Sequence, residues 1–127
     1  MNWKFILTML PIGPLMGGLM VLGVGVPTIP ILWVIASITT AWMLYRREEK
    51  KWLLTILTLA LIWGITHNIV EAIFFEAYIS NNPEIGQQLT NPDFIPKRYF
   101  VMLTGAHTGF GAGILAMALT WVFKVFS

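Results

Sequence analysis

The chain has 127 residues, of which 57% are apolar and only 11% charged: eight Lys/Arg and six Asp/Glu. A soluble domain carries about 25% charged residues, so this composition argues against a soluble enzyme, a disordered chain and a nucleic-acid binder. The pI near 9.2 rests on a net charge of only +2, and the mean hydropathy of +0.74 points to one polytopic membrane domain.

A membrane helix needs about 20 mostly apolar residues to cross the hydrocarbon layer. Four stretches qualify, at 5–26, 29–45, 52–79 and 99–123. The expected fold is therefore an all-α integral membrane protein. Its four transmembrane helices form an antiparallel bundle over 1–127, with an extracytoplasmic loop at 80–98.

The first span follows Lys4 and carries no charge. A basic residue before an apolar run also permits a secretory signal. The small-residue cleavage pattern is missing between Gly23 and Pro30, so the span is expected to stay in the protein. Pro11 and Pro14 lie inside it and should bend it, because proline removes a hydrogen-bond donor and clashes with the preceding turn. Gly13, Gly17 and Gly18 make a smooth face on the same span. The link Gly25-Val26-Pro27-Thr28-Ile29-Pro30 has two prolines and no charge, and reads as a tight turn.

The second span ends at the solvated run Arg46-Arg47-Glu48-Glu49-Lys50-Lys51. The third holds Glu71 and Glu76 near its far end. Glu76 should lie at the outer interface, in solvent. The loop that follows is rich in Asn, Gln and Pro, which suits turn chemistry better than ligand binding. The fourth span carries Gly105, Gly109 and Gly113 at four-residue spacing, with Ala116 close behind. Lipid tails are as apolar as leucine, so helices associate there through close contact at small residues. Both glycine faces are expected to pack against other helices.

Lys4, Arg46, Arg47, Lys50, Lys51 and Lys124 fall on one side of the spans, against Lys97 and Arg98 on the other. The positive-inside rule then puts both termini in the cytoplasm of a cell with this protein in its plasma membrane. Trp3, Trp42, Tyr45, Trp52, Tyr78, Tyr99 and Trp121 stand near span ends, as an aromatic belt does. The chain has no cysteine, which removes disulfides, thiolate metal sites and thiol redox chemistry. Four helices enclose little interior, so partners beyond the bilayer are expected: a homo-oligomer, or a place in a larger membrane complex.

One polar constellation stands inside the apolar spans. His67 and Glu71 are four residues apart and share a helix face, flanked by Asn68. The fourth span carries the other histidine, His107. If Ser80 and Arg98 lie level, Glu71 and His107 are each nine residues inward and face each other. His67 then falls one turn deeper, opposite Gly111, with Thr104 and Thr108 nearby. A carboxylate in hydrocarbon is costly and marks a functional site by default. A Glu–His pair can share one proton, as a proton-coupled carrier or a general acid/base pair requires. The competing reading is a buried hydrogen bond that locks the third and fourth spans together.

Three functional readings follow. The cluster of His67, Glu71, His107 and Asn68 binds or moves a small or lipophilic solute. Alternatively, His67 and His107 are the axial ligands of a haem b in an electron-transfer subunit. A one-turn offset between the histidines and a carboxylate beside the ring count against that. The third reading is acid/base catalysis on a lipophilic substrate. A metal site would have only the bare minimum of ligands, so no metal is expected, and the first reading, in which the chain is not an enzyme, is preferred.

The run Gly64-Ile65-Thr66-His67-Asn68-Ile69-Val70-Glu71, followed by Phe74-Phe75 and Tyr78, resembles the His/Glu helix of EXPERA-domain membrane proteins, the emopamil-binding-protein group. The resemblance covers residues 63–79. It implies that His67 and Glu71 line a cavity for a lipophilic, often cationic, ligand, and it is the ground for the isomerase alternative.

Overall fold

A computed structural model describes residues 2–25, 28–48, 50–90 and 93–126, with the backbone alone at residues 105, 106 and 108. Among these residues the chain forms helices and no strand. The helices are α1 (Trp3–Met9), α2 (Ile12–Val21), α3 (Thr28–Arg46), α4 (Trp52–Ile73), α5 (Phe75–Asn81), α6 (Pro83–Gln88) and α7 (Lys97–Val125). Four segments are long and apolar enough to cross a membrane: α1 with α2, α3, α4 and α7. The protein is an all-α, multi-pass membrane bundle.

The second and fourth spans run slightly beyond their expected ends. The first and third are broken. Between α1 and α2 the helix is interrupted at Leu10 and Pro11, where proline supplies no N–H. A carbonyl freed inside a membrane has to find a partner within the protein. The Met9 carbonyl finds one on α4: the Trp63 indole Nε1–H donates to it at 2.7 Å. The third span stops at Ile73, and α5 continues after Phe74 as a separate helix.

Helix α4 stands at the centre of the packing. It lies against α2 on one side and α7 on the other. Helix α3 packs along α7 and meets α2 only lightly. Glycines set both of the α4 contacts. A Cβ on Gly17 would strike the His67 carbonyl and come within 3.1 Å of the Val70 side chain. One on Gly13 would strike the Thr66 hydroxyl and come within 2.8 Å of the Trp63 backbone. Across α4, a Cβ on Gly109 would strike the Ala60 carbonyl and lie 2.6 Å from the Gly64 nitrogen. Gly113 approaches Ala60 in the same way. The packing expected of these glycines is what the structure shows. The contacts of Gly105 lie outside the described residues. Gly18 differs from its neighbour, since a Cβ there meets nothing within 4 Å.

The two ends of the bundle are distinct. At one, the Arg47 guanidinium lies 5.3 Å from the Phe5 ring, and Trp42 meets Phe123 edge to face at 5.9 Å. The charged turn, the start of α1 and the end of α7 therefore lie together. At the other end, α5 and α6 cap the bundle. The Asn81 amide donates to the Val21 carbonyl at 2.7 Å, and the Asn82 amide donates to Met20 at 2.7 Å and Tyr78 at 2.8 Å. The last carbonyls of α2 are thus satisfied by two asparagines from the far side of the chain.

A side chain at Gly17 should part α2 from α4. Gly17→Leu is expected to cost about 1–3 kcal/mol, the range for overpacking a tight contact. Gly18→Leu enters open space and should stay within about 0.5 kcal/mol of the parent. Unfolding of both variants in detergent micelles checks this pair, and equal losses would contradict the contact.

Candidate functional site

The polar residues of α4 converge on a cavity of about 350 Å³. It lies in the half of the bundle capped by α5 and α6. His67, Asn68 and Glu71 form one wall, with Tyr78 from α5 beyond them. Met20, Ile29, Pro30 and Trp33 come from α2 and α3. Val101 and Thr104 face them from the start of α7, and Leu89 closes in from the chain after α6. The space exists because α4 is held by α2 and α7 on two sides, while α3 leans on α7. Helix α3 reaches α4 with Trp33, whose ring lies 5.7 Å from Trp63 and 5.8 Å from His67, centroid to centroid.

His67 and Glu71 are joined on their shared face. The His67 Nε2 lies 3.0 Å from the Glu71 Oε1, and both side chains are 4–5% exposed. The pair is confined to α4, so the lock between spans is not made by it. Asn68 makes that connection instead: its Nδ2–H donates to the Val101 carbonyl of α7 at 2.6 Å. The Thr104 hydroxyl donates to the same carbonyl at 3.0 Å. Tyr78 is buried at the far side of the cavity.

His107 is not part of this cluster. Its side chain is exposed on the outer face of α7. The level pairing assumed for the two spans is offset. Arg98 lies against Glu76 at 3.5 Å, Val101 against Asn68, and Gly109 against Gly64. His107, two residues before Gly109, therefore sits at the depth of the Gly64 turn, about 10 Å deeper than Glu71 at helical rise. The physical reason is the loop. The third segment runs on through α5 to Asn81, past the level at which α7 begins at Lys97. Ser80 and Arg98 are not level, and Glu76, expected in solvent, has Arg98 beside it while remaining 87% exposed. Gly111 likewise faces open space and not His67. Thr108 lies outside the residues whose side chains are described. The bis-histidine haem reading loses its second ligand, because His107 does not share the cavity of His67.

A second hollow of about 280 Å³ lies in the groove between α3 and α7. It is lined by Pro30, Trp33, Val34, Ser37 and Gly111, among others. Pro30 and Trp33 border both spaces, so the indole of Trp33 stands between the groove and the polar cavity. Ser37 closes part of the α3–α7 seam by donating to the Ala112 carbonyl at 3.0 Å.

Trp33 and Leu89 are functional candidates that the sequence reading passed over. Trp33 had a signal: it stands inside its span, away from the interfacial belt. Leu89 had none, being one apolar residue in a polar loop. Among the described residues, no three His, Cys, Asp or Glu side chains are grouped as a metal site would need.

Removing the Asn68 bond should weaken the α4–α7 seam. Asn68→Leu is expected to destabilise the bundle by about 1 kcal/mol, the worth of an interhelical hydrogen bond in a membrane. Glu76→Gln, at a solvent-exposed ion pair, should cost no more than about 0.5–1 kcal/mol before the further discount for screening. Thermal unfolding in micelles compares the two, and a larger loss at Glu76 would contradict the assignment of the seam to Asn68.

No protein-family model, no curated protein and no solved structure matches this chain.

Proposed function

We propose that the protein binds a small lipophilic solute in the cavity between α3, α4 and α7, with His67 and Glu71 as its polar anchor. The observation that carries this reading is the buried contact between His67 and Glu71. A carboxylate within apolar helices is costly, and among the described residues its partner is a histidine of its own helix. The bundle is tied across helices by Asn68, Trp63, Asn81 and Asn82. Glu71 adds nothing to those ties, yet it lines a ligand-sized space. At about 350 Å³ that space falls at the lower end of the usual range for small-molecule pockets, ~300–1,000 Å³. The resemblance of residues 63–79 to the His/Glu helix of EXPERA-domain proteins supports the same pair.

The groove between α3 and α7 offers a route from the bilayer to the site, past Pro30 and Trp33. Transport would follow if the His67–Glu71 pair exchanges its proton as the solute moves. His107 bears on the expected oligomer. An imidazole facing hydrocarbon is unfavourable, and a neighbouring subunit seated on that face of α7 would relieve it. The plasma membrane with both termini in the cytoplasm remains the preferred placement, on the charge asymmetry already described.

Native mass spectrometry of the purified protein tests the ligand reading. A bound lipophile should release from the parent and be absent from Glu71→Gln, with Glu76→Gln as the control that keeps it. Equal occupancy in parent and Glu71→Gln would contradict a role for the carboxylate. Orientation is tested independently, because the native chain has no cysteine. In intact cells, Gln87→Cys should react with a membrane-impermeant maleimide, and Lys50→Cys should react only after permeabilisation. The reverse pattern would invert the topology.

A further inference from the structure

A separate hollow of about 340 Å³ opens at the end of the bundle opposite the α5–α6 cap. Its size is that of a small-ligand pocket, ~300–1,000 Å³. Trp42, Tyr45 and Arg46 line it from the last turns of α3, and Glu48 lines it from just beyond them. Three rings fix its wall. Tyr45 lies 5.8 Å from Trp42, and each of the two lies 5.9 Å from Phe123 of α7, centroid to centroid. The Arg46 guanidinium stands over the Trp42 ring at 5.9 Å, a cation–π distance. Tryptophan and tyrosine at a span end mark the depth of the lipid headgroups, and Trp42 is 50% exposed there.

Glu48 is held there by an uncommon backbone. Its φ is 49°, in the left-handed region, two residues past the end of α3. Glycine is the usual residue at that position, because a Cβ is strained in this conformation. The turn brings a carboxylate to the same hollow as Arg46, inside a loop that is otherwise mostly basic. Both side chains are exposed, and among the described residues no ion pair joins them. One cation and one anion thus share a hollow with an aromatic wall at headgroup depth, and neither answers the other.

We propose that this hollow binds the headgroup of a zwitterionic phospholipid with a primary amine, of the phosphoethanolamine type. The Arg46 guanidinium donates to the phosphate oxygens, its preferred partners, and the Glu48 carboxylate accepts from the ammonium. Other headgroups fit less well. An anionic glycerol headgroup answers Arg46 and is opposed by Glu48. A choline headgroup has no N–H for the carboxylate and would depend on the aromatic faces, one of which Arg46 already covers.

The test titrates the full chain in detergent micelles with dioctanoyl phosphatidylethanolamine, phosphatidylcholine or phosphatidylglycerol. Bound lipid is counted by native mass spectrometry in about 0.15 M ammonium acetate, where charges more than ~8 Å apart are largely screened. The ethanolamine lipid should bind about two- to fivefold more tightly than either of the others, the worth of one exposed ion pair. Glu48→Gly removes the carboxylate and relaxes the left-handed turn, so it should fold at least as well as the parent and lose that preference. Arg46→Gln should weaken all three lipids, since each carries the phosphate. A choline or glycerol lipid that binds the parent as tightly as the ethanolamine lipid overturns the headgroup assignment. A preference that survives in Glu48→Gly overturns the role of the carboxylate. Water-soluble phosphoethanolamine that displaces the lipid at equal concentration would make the free headgroup the ligand and overturn the lipid assignment.

Discussion

Backbone contact between α4 and its two neighbours is the constraint from which the rest of the structure follows. Lipid gives apolar side chains no reason to prefer one another, so close approach of helix backbones has to provide the attraction. Gly13 and Gly17 permit it on one side of α4, and Gly109 and Gly113 on the other. With α4 gripped at these two faces, α3 lies against α7 and meets α4 through the Trp33 ring. The remaining space is the cavity. Its polar wall is therefore a consequence of where the glycines are not.

Two kinds of polar contact stand out in the bundle. Trp63, Asn68, Asn81, Asn82 and Ser37 each spend a donor on a carbonyl of another helix. Those bonds repair the break at Pro11, close the α4–α7 seam and cap the end of α2. His67 and Glu71 meet each other within α4. A bundle that needed only stability could replace such a pair with apolar side chains of similar volume at little cost, since buried ion pairs contribute weakly once desolvation is counted.

The spans were legible in the sequence because charge and proline mark their ends. The glycine faces were legible because four-residue spacing places small residues on one stripe, and the His67–Glu71 pair because four residues make one helical turn. The register between spans three and four was not. It depends on how far α5 continues past the level of Arg98, and a polar loop carries no periodic signal for that. The error moved His107 from the cluster to the outer face. The roles of Asn81 and Asn82 were hidden for the same reason: asparagine in a loop reads as turn chemistry, and the carbonyls that these two satisfy lie some 60 positions earlier in the chain. Trp33 was accessible in principle, since an aromatic residue well inside a span does not belong to the interfacial belt.

The central claim is the proposal that His67 and Glu71 anchor a lipophilic solute in the cavity that they line. The two histidines make a direct measurement possible, because His107 is an internal control on the outside of the bundle. Nitrogen-15 NMR of histidine-labelled protein in nanodiscs reports the tautomer of each ring. The expected result is a His67 ring whose signals shift when octanol is added, while those of His107 stay fixed. A His67 ring that does not respond, or two histidines that respond alike, would contradict it.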